Sequence, residues 1–154
     1  MNTEERGTQI ERLIEALPEG SVLGRESHRG QDSLTVERSA LLPVMEALKT
    51  RFGFRYLIDV TALDFHPATP RFRVVYHLWA HDGNRLLRVK TTPTGDPPAV
   101  PTVSSIWTTA DWHERECFDL FGIVFEGHPN LTRILLPLDW DGHPLRKDYP
   151  VEGP

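Results

Sequence analysis

The stretch RFRVVYHLWAHDGNRLLRVKT, residues 71–91, decides the fold. Phe72, Val74, Tyr76 and Leu78 alternate with Arg73, Val75, His77 and Trp79, the period of two that turns one side of a strand into a core. Asp82-Gly83-Asn84 supplies hairpin turn residues, and Leu86–Thr91 returns with Leu87 and Val89 on one face and Arg88 and Lys90 on the other. A hairpin joins antiparallel neighbours, whereas the parallel strands of a doubly wound sheet need helical crossovers. The pattern predicts a two-layer α+β domain.

Working outward, YLIDVTALDF (56–65) is β-branched and reads as a central strand. TPTGDPPAVP (92–101) holds four prolines and reads as a surface loop, neither helix nor central strand. Upstream, Ile10, Leu13, Ile14 and Leu17 form a helical stripe that Pro18 and Gly20 end. Val22–Leu23 and Leu34–Val36 read as short strands joined by the polar loop RESHRGQD. Ser39 is placed to cap a second helix burying Leu41, Val44, Met45 and Leu48, with Pro43 tolerated in its first turn and Gly53 as its stop. The expected order is α-β-β-α-β-β-β-α plus an extended C-terminal tail, in one domain with a mixed or antiparallel sheet and helices on one side. Residues 1–126 are expected to form its core and 127–154 an extended segment of the same domain.

A chain of 154 residues suits one domain able to bury a core without staples. Its formal charge of −5 argues against a nucleic-acid binder. One cysteine, Cys117, makes no internal disulfide, cannot hold an iron–sulfur cluster alone, and suits a reducing cytoplasm. The charged N-terminus MNTEERGTQIERL does not read as a signal peptide, and no apolar run approaches the ~18 residues of a membrane span.

The information is densest over residues 107–150. Thr108 or Thr109 can cap a helix running to about Phe121, with Gly122 as its stop. Ala110, Cys117, Phe118 and Phe121 share one face, and Glu114 falls in its middle. A carboxylate there needs an arginine, backbone donors or another chain opposite it. Trp112, Glu116 and Asp119 lie on the far side with Arg115 beside them, a composition suited to a partner surface. Ile123–Phe125 can form a short edge strand. The following tail has no period able to build its own core, so it is expected to be ordered by lying on another surface.

The spacing ERECFDLFGIVFEGHP (114–129), LTRIL (131–135) and GHPLRKDYP (142–150) strongly resembles the C subunit of the proton-pumping NADH:quinone oxidoreductases, respiratory complex I. The resemblance is most specific over residues 112–150 and extends along the chain, including DVTALDF at 59–65. It implies a non-catalytic scaffold in the peripheral arm, on the cytoplasmic side of a bacterial inner membrane. The assembly would carry electrons from NADH to quinone and couple this to proton translocation. The chain itself would bind no flavin, iron–sulfur cluster or metal; flavin mononucleotide and clusters would sit in partner subunits. The implied neighbours are the D subunit, a relative of nickel–iron hydrogenase large subunits, and the B and I subunits. Carried over by position, Glu114, Arg115, Glu116, Asp119, Gly122, Gly127, His128, Pro129, Arg133, Gly142, Pro144, Arg146, Lys147, Asp148 and Pro150 match the motif and are expected at partner interfaces. Cys117 stands where a bulkier or aromatic residue is usual, LPLDW (136–140) departs from the common pattern, and the chain runs four residues past Pro150, where many relatives continue further. Related membrane-bound hydrogenases and dehydrogenases with other electron donors use similar subunits, an alternative assignment.

Rival readings are weaker. His113-Glu114 opens like the metal-binding helix motif His-Glu-x-x-His but meets Cys117, and the helix turns His113 away from Glu114. A thiol or metal hydrolase on Cys117, His113 and Glu114 is therefore disfavoured, since a mid-helix thiol among apolar neighbours is inert. His77 and His81 share a strand face but stand ~13 Å apart, too far to chelate one ion. Glu116 and Asp119, one helical turn apart, read as solvated or paired acids rather than a catalytic couple. Arg71, Arg73, Arg85, Arg88 and Lys90 on the hairpin form a basic face for anionic lipid headgroups, an acidic partner or solvent. If the motif charges act at interfaces, removing Asp119 or Arg146 weakens assembly and leaves the domain folded.

Overall fold

A computed structural model describes residues 3–152. Three α-helices, α1 (Thr3–Glu15), α2 (Leu41–Thr50) and α3 (Ala110–Phe121), accompany seven strands. The strands are β1 (Val22–His28), β2 (Gln31–Val36), β3 (Tyr56–Asp64), β4 (Phe72–Ala80), β5 (Arg85–Thr91), β6 (Ala99–Pro101) and β7 (Val124–Glu126). Five strands form a mixed sheet in the order β1-β2-β5-β4-β3, with β2 and β5 parallel and the other neighbours antiparallel. The predicted alternation holds: Phe72, Val74, Tyr76 and Leu78 of β4 and Leu87 and Val89 of β5 are buried. They pack with Ile10 and Leu13 of α1, Leu41, Val44, Met45 and Leu48 of α2, and Ala110 and Cys117 of α3 in one core.

Four expectations change. The polar stretch 25–32 is not a loop but most of a hairpin, β1 and β2 turning on Arg29 and Gly30, both at positive φ. Such a pair sets the turn twist that matches antiparallel strands; β1 is almost wholly exposed, so hydrophobic alternation could not announce it. β3 is an edge strand, not a central one, and α3 lies against it, with the Cys117 thiol donating to the Val60 carbonyl at 3.5 Å. His81 lies beyond the end of β4, edge-on to the Trp79 ring, rather than on the strand face with His77. Neither expected cap is used. A 3-10 turn at Arg38–Ala40 leads into α2 without a side-chain cap, and Thr109 takes helical dihedrals and its hydroxyl accepts no capping bond from α3.

The proline-rich stretch holds one further strand. Ala99–Pro101 pairs in parallel with Val124–Glu126 as a two-stranded sheet, and Val100 and Phe125 are buried. Arg38 holds this sheet from α2's entry turn, donating to the Ala99 carbonyl at 2.8 Å and to Glu126 at 2.5 Å. The segment after β7 carries turns and bends but neither helix nor strand through residue 152. Among the described residues no helix is long and apolar enough to cross a membrane.

Candidate functional site

α3 lies between two surfaces. Its inner side, with Ala110, Glu114 and Cys117, faces the sheet. Glu114 is fully buried and meets backbone and hydroxyl donors, not an arginine: Val103 N–H donates to Oε1 at 2.8 Å and the Thr102 hydroxyl to Oε2. The His128 ring lies close by, its Nε2 3.9 Å from Glu114 Oε2 and 3.2 Å from the Asp111 carbonyl. Its Nδ1 accepts the Asn130 N–H at 3.0 Å, so the ring proton sits on Nε2. Burial pushes the Glu114 carboxyl up to about 7, against the pull of Thr102 and Val103.

The outer side of α3 is covered at Asp119 by the chain's own tail. Asp119 lies on the side where the helical period puts it, with Trp112 and Glu116, but unlike those two exposed residues it is fully buried. Residues 133–143 fold over it. Asp119 Oδ2 accepts N–H groups of Ile134, Leu135 and Leu136 at 3.0, 2.8 and 3.0 Å, and Oδ1 accepts Arg133 at 2.7 Å. Burial raises its carboxyl, yet the Leu136 N–H, the Arg133 guanidinium and the other two N–H groups outweigh this and hold it at about 2. Arg133 also donates to the Trp140 and Gly142 carbonyls, closing the tail on itself. Arg115 donates to the Thr132 and Arg133 carbonyls, and His143 Nδ1–H donates to the Asp119 carbonyl at 2.8 Å.

A second clasp ties the tail's end to the sheet. Asp64, buried at the end of β3, accepts Arg71 through both oxygens at 2.9 and 2.8 Å and the Lys147 N–H at 2.8 Å. The Arg71 guanidinium holds the Asp64 carboxyl well below its usual range and also pairs with Asp148 at 2.6 Å. Arg146 donates to the Phe121 carbonyl at 2.6 Å and lies over the Phe72 ring. Asp64 and His143 are not among the residues the sequence singles out. The signal for Asp64 is its place in the inward register of β3 after Val60 and Ala62, where a charge demands a partner.

Of the motif positions, Glu114, Arg115, Asp119, His128, Arg133, Arg146 and Asp148 are thus engaged within the chain. Lys147 gives its backbone N–H to Asp64 and leaves its side chain exposed, as are Glu116, Pro129 and Pro150; Pro144 is half-buried. Gly122, Gly127 and Gly142 all take positive φ. At Gly122 a Cβ would stand 2.6 Å from both Arg146 and His143. Gly122→Ala is therefore expected to cost at least about 2 kcal/mol, from left-handed strain and displacement of the tail, readable as a lower urea midpoint. The other hairpin cations are likewise engaged: Arg85 with the Phe52 carbonyl, Arg88 with His77 and Gln31, Lys90 with Glu26, and Arg73 over Phe65.

A family model described as respiratory-chain NADH dehydrogenase, 30 Kd subunit, matches residues 34–154. The chain belongs to that family. A relative from Citrifermentans bemidjiense, named as the C subunit of NADH-quinone oxidoreductase, is 43% identical over 134 residues, 87% of this chain and 83% of the relative. One of the same name from a Roseiflexus species is 40% identical over 149 residues, 96% of this chain and 85% of the relative. Among solved structures, a trypsin-resistant fragment of Nqo5 superposes with TM-score 0.67 at 32% identity, over 82% of this chain and 99% of the fragment. A chain of an archaeal membrane-bound sulfane sulfur reductase shares the fold, with TM-score 0.77 at 24% identity over 96% of this chain and 86% of its own.

Proposed function

We propose that this 30 Kd family member is the C subunit of an NADH-quinone oxidoreductase and acts as a non-catalytic scaffold in the peripheral arm. The observation that carries this is the family match across residues 34–154, which includes α3 and the whole clasped tail. The geometry suits a scaffold: the charged motif residues hold helix to tail and tail to sheet, giving a rigid body to build on. In this reading the chain holds no flavin or cluster, and electrons pass from NADH through partner subunits to quinone, coupled to proton translocation. Its partners are the D, B and I subunits, and it sits peripherally on the cytoplasmic side of the inner membrane.

Cys117 supports a structural rather than a chemical role. The thiol is buried, and burial pushes it above its ordinary range, followed by the charges of Glu116 and Glu114, so thiolate is scarce. Cys117→Ala is expected to leave the activity of the assembled enzyme unchanged and to cost about 1–2 kcal/mol of packing, read in a thermal melt. The deciding experiment tags this chain in its host, solubilises membranes gently and assays the eluate for NADH-dependent quinone reduction. Recovery of a large flavin- and cluster-containing complex with activity supports the reading. A lone colourless protein, under conditions where such complexes survive, overturns it.

A further inference from the structure

Because the tail covers Asp119 on the outer side of α3 in cis, the surface offered to a partner is the outside of the tail together with the exposed Trp112 and Glu116 of α3. There Leu135, Leu138 and Leu145 are 61%, 82% and 51% exposed, and Trp112 on α3 is 62% exposed. Backbone bonds fix them along one flank. Leu135 N–H binds Asp119, Leu145 N–H binds the Leu120 carbonyl, and the Leu138 turn is held through Trp140 to Arg133. Trp112 joins the same flank through Arg115, whose guanidinium lies 5.2 Å from its ring while binding Thr132 and Arg133. Large aliphatic side chains held in the open by a fixed backbone cost solvation free energy that a partner can recover.

Charge narrows what can cover them. Arg115, Arg133 and Arg146, the cations of this flank, donate to backbone carbonyls and to Asp119. Glu116 and Asp139 are exposed and pair with no cation among the described residues. Lys147 is exposed too, with its backbone N–H bound to Asp64 on the sheet. The flank is therefore an apolar ridge with an acidic rim. A second exposed apolar group lies on β3, with Tyr56, Ile58 and Leu63; there Tyr56 stacks on Trp79 at 5.1 Å, and just past the strand Phe65 lies under Arg73 at 5.4 Å.

We infer that this ridge is an interaction surface and seats in an apolar groove edged by lysine or arginine on a partner protein. The inference rests on the scaffold reading and names the face and the partner chemistry that reading leaves open. The electrostatic rim steers and orients; the leucines supply the burial.

The test uses the tagged full-length chain in its host. Leu135→Ser/Leu138→Ser is compared with Leu23→Ser, an equally exposed leucine on β1. The ridge variant is expected to lower recovery of the assembled complex by about tenfold or more, with an unchanged melting curve for the isolated chain, and the control to assemble normally. In a second arm, Glu116→Gln/Asp139→Asn is expected to flatten the salt dependence of partner retention. A ridge variant that melts normally and assembles at wild-type yield overturns the inference. So does a salt dependence that the charge variant leaves intact. Absence of any complex with the wild-type and control chains alike instead overturns the scaffold reading.

Discussion

Asp119→Ala is expected to destabilise the isolated chain by about 3–5 kcal/mol, the range for removing one partner of a buried ion pair. The loss has two parts. Arg133, largely buried, loses its counter-charge, and the N–H groups of Ile134, Leu135 and Leu136 lose their acceptor together. Urea unfolding reads the total, and trypsin cleavage after Arg133 reads release of the tail. Asp119→Asn should fall between, since it keeps the shape but presents an amide NH₂ to donors. Its pH signature has a definite sign. The folded carboxyl titrates at about 2 against an ordinary 3.8, so its contribution is present above about pH 4 and lost as pH falls toward 2. A variant with wild-type stability that fails only in assembly would return Asp119 to the interface role the sequence suggests.

Glu114→Gln is expected to give the opposite pH behaviour. Burial raises the folded Glu114 to about 7 from an ordinary 4.5, so between those values the folded chain holds a proton that the unfolded chain has released. Stability from this group is fully present below about pH 4.5, declines as pH rises through 7, and is then constant; the fall amounts to about 3 kcal/mol. Gln keeps the shape, accepts the Val103 N–H and can donate to the Thr102 oxygen. The variant should therefore match wild type at pH 5, exceed it at pH 8.5, and lose the decline between. The groups facing this carboxyl are Asp111 and Cys117 on α3, Tyr76 on β4 and His128 after β7. A wild-type melting midpoint that is level from pH 5 to 8.5, once other titrations are subtracted with the Gln variant, would mean Glu114 stays ionised throughout.

These two carboxylates also mark where the sequence is legible and where it is not. The alternation in β4 and β5, the hairpin turn between them, the stripes of α1 and α2, and Gly122 as the stop of α3 follow from local rules, because a strand or helix buries whatever its period puts inward. The same rule places Glu114 in the core and requires donors there. It also puts Asp119 on the outer side of α3, where it does lie. What the period cannot convey is that residues 133–143, irregular and without a helical or strand repeat, fold back over Asp119. Burial there comes from contacts across 14–24 residues of chain, not from a repeat.

The sequence by itself determined the class of fold, its core and its family motif, since all three are written in short-range patterns of residue type. Tertiary structure decided the edge position of β3, the exposed β1 strand, and the partners of Asp64 and Asp119. The physical reason is the same in each case. A charged or polar residue specifies only that it must be satisfied; which distant backbone N–H or guanidinium satisfies it depends on where the chain returns.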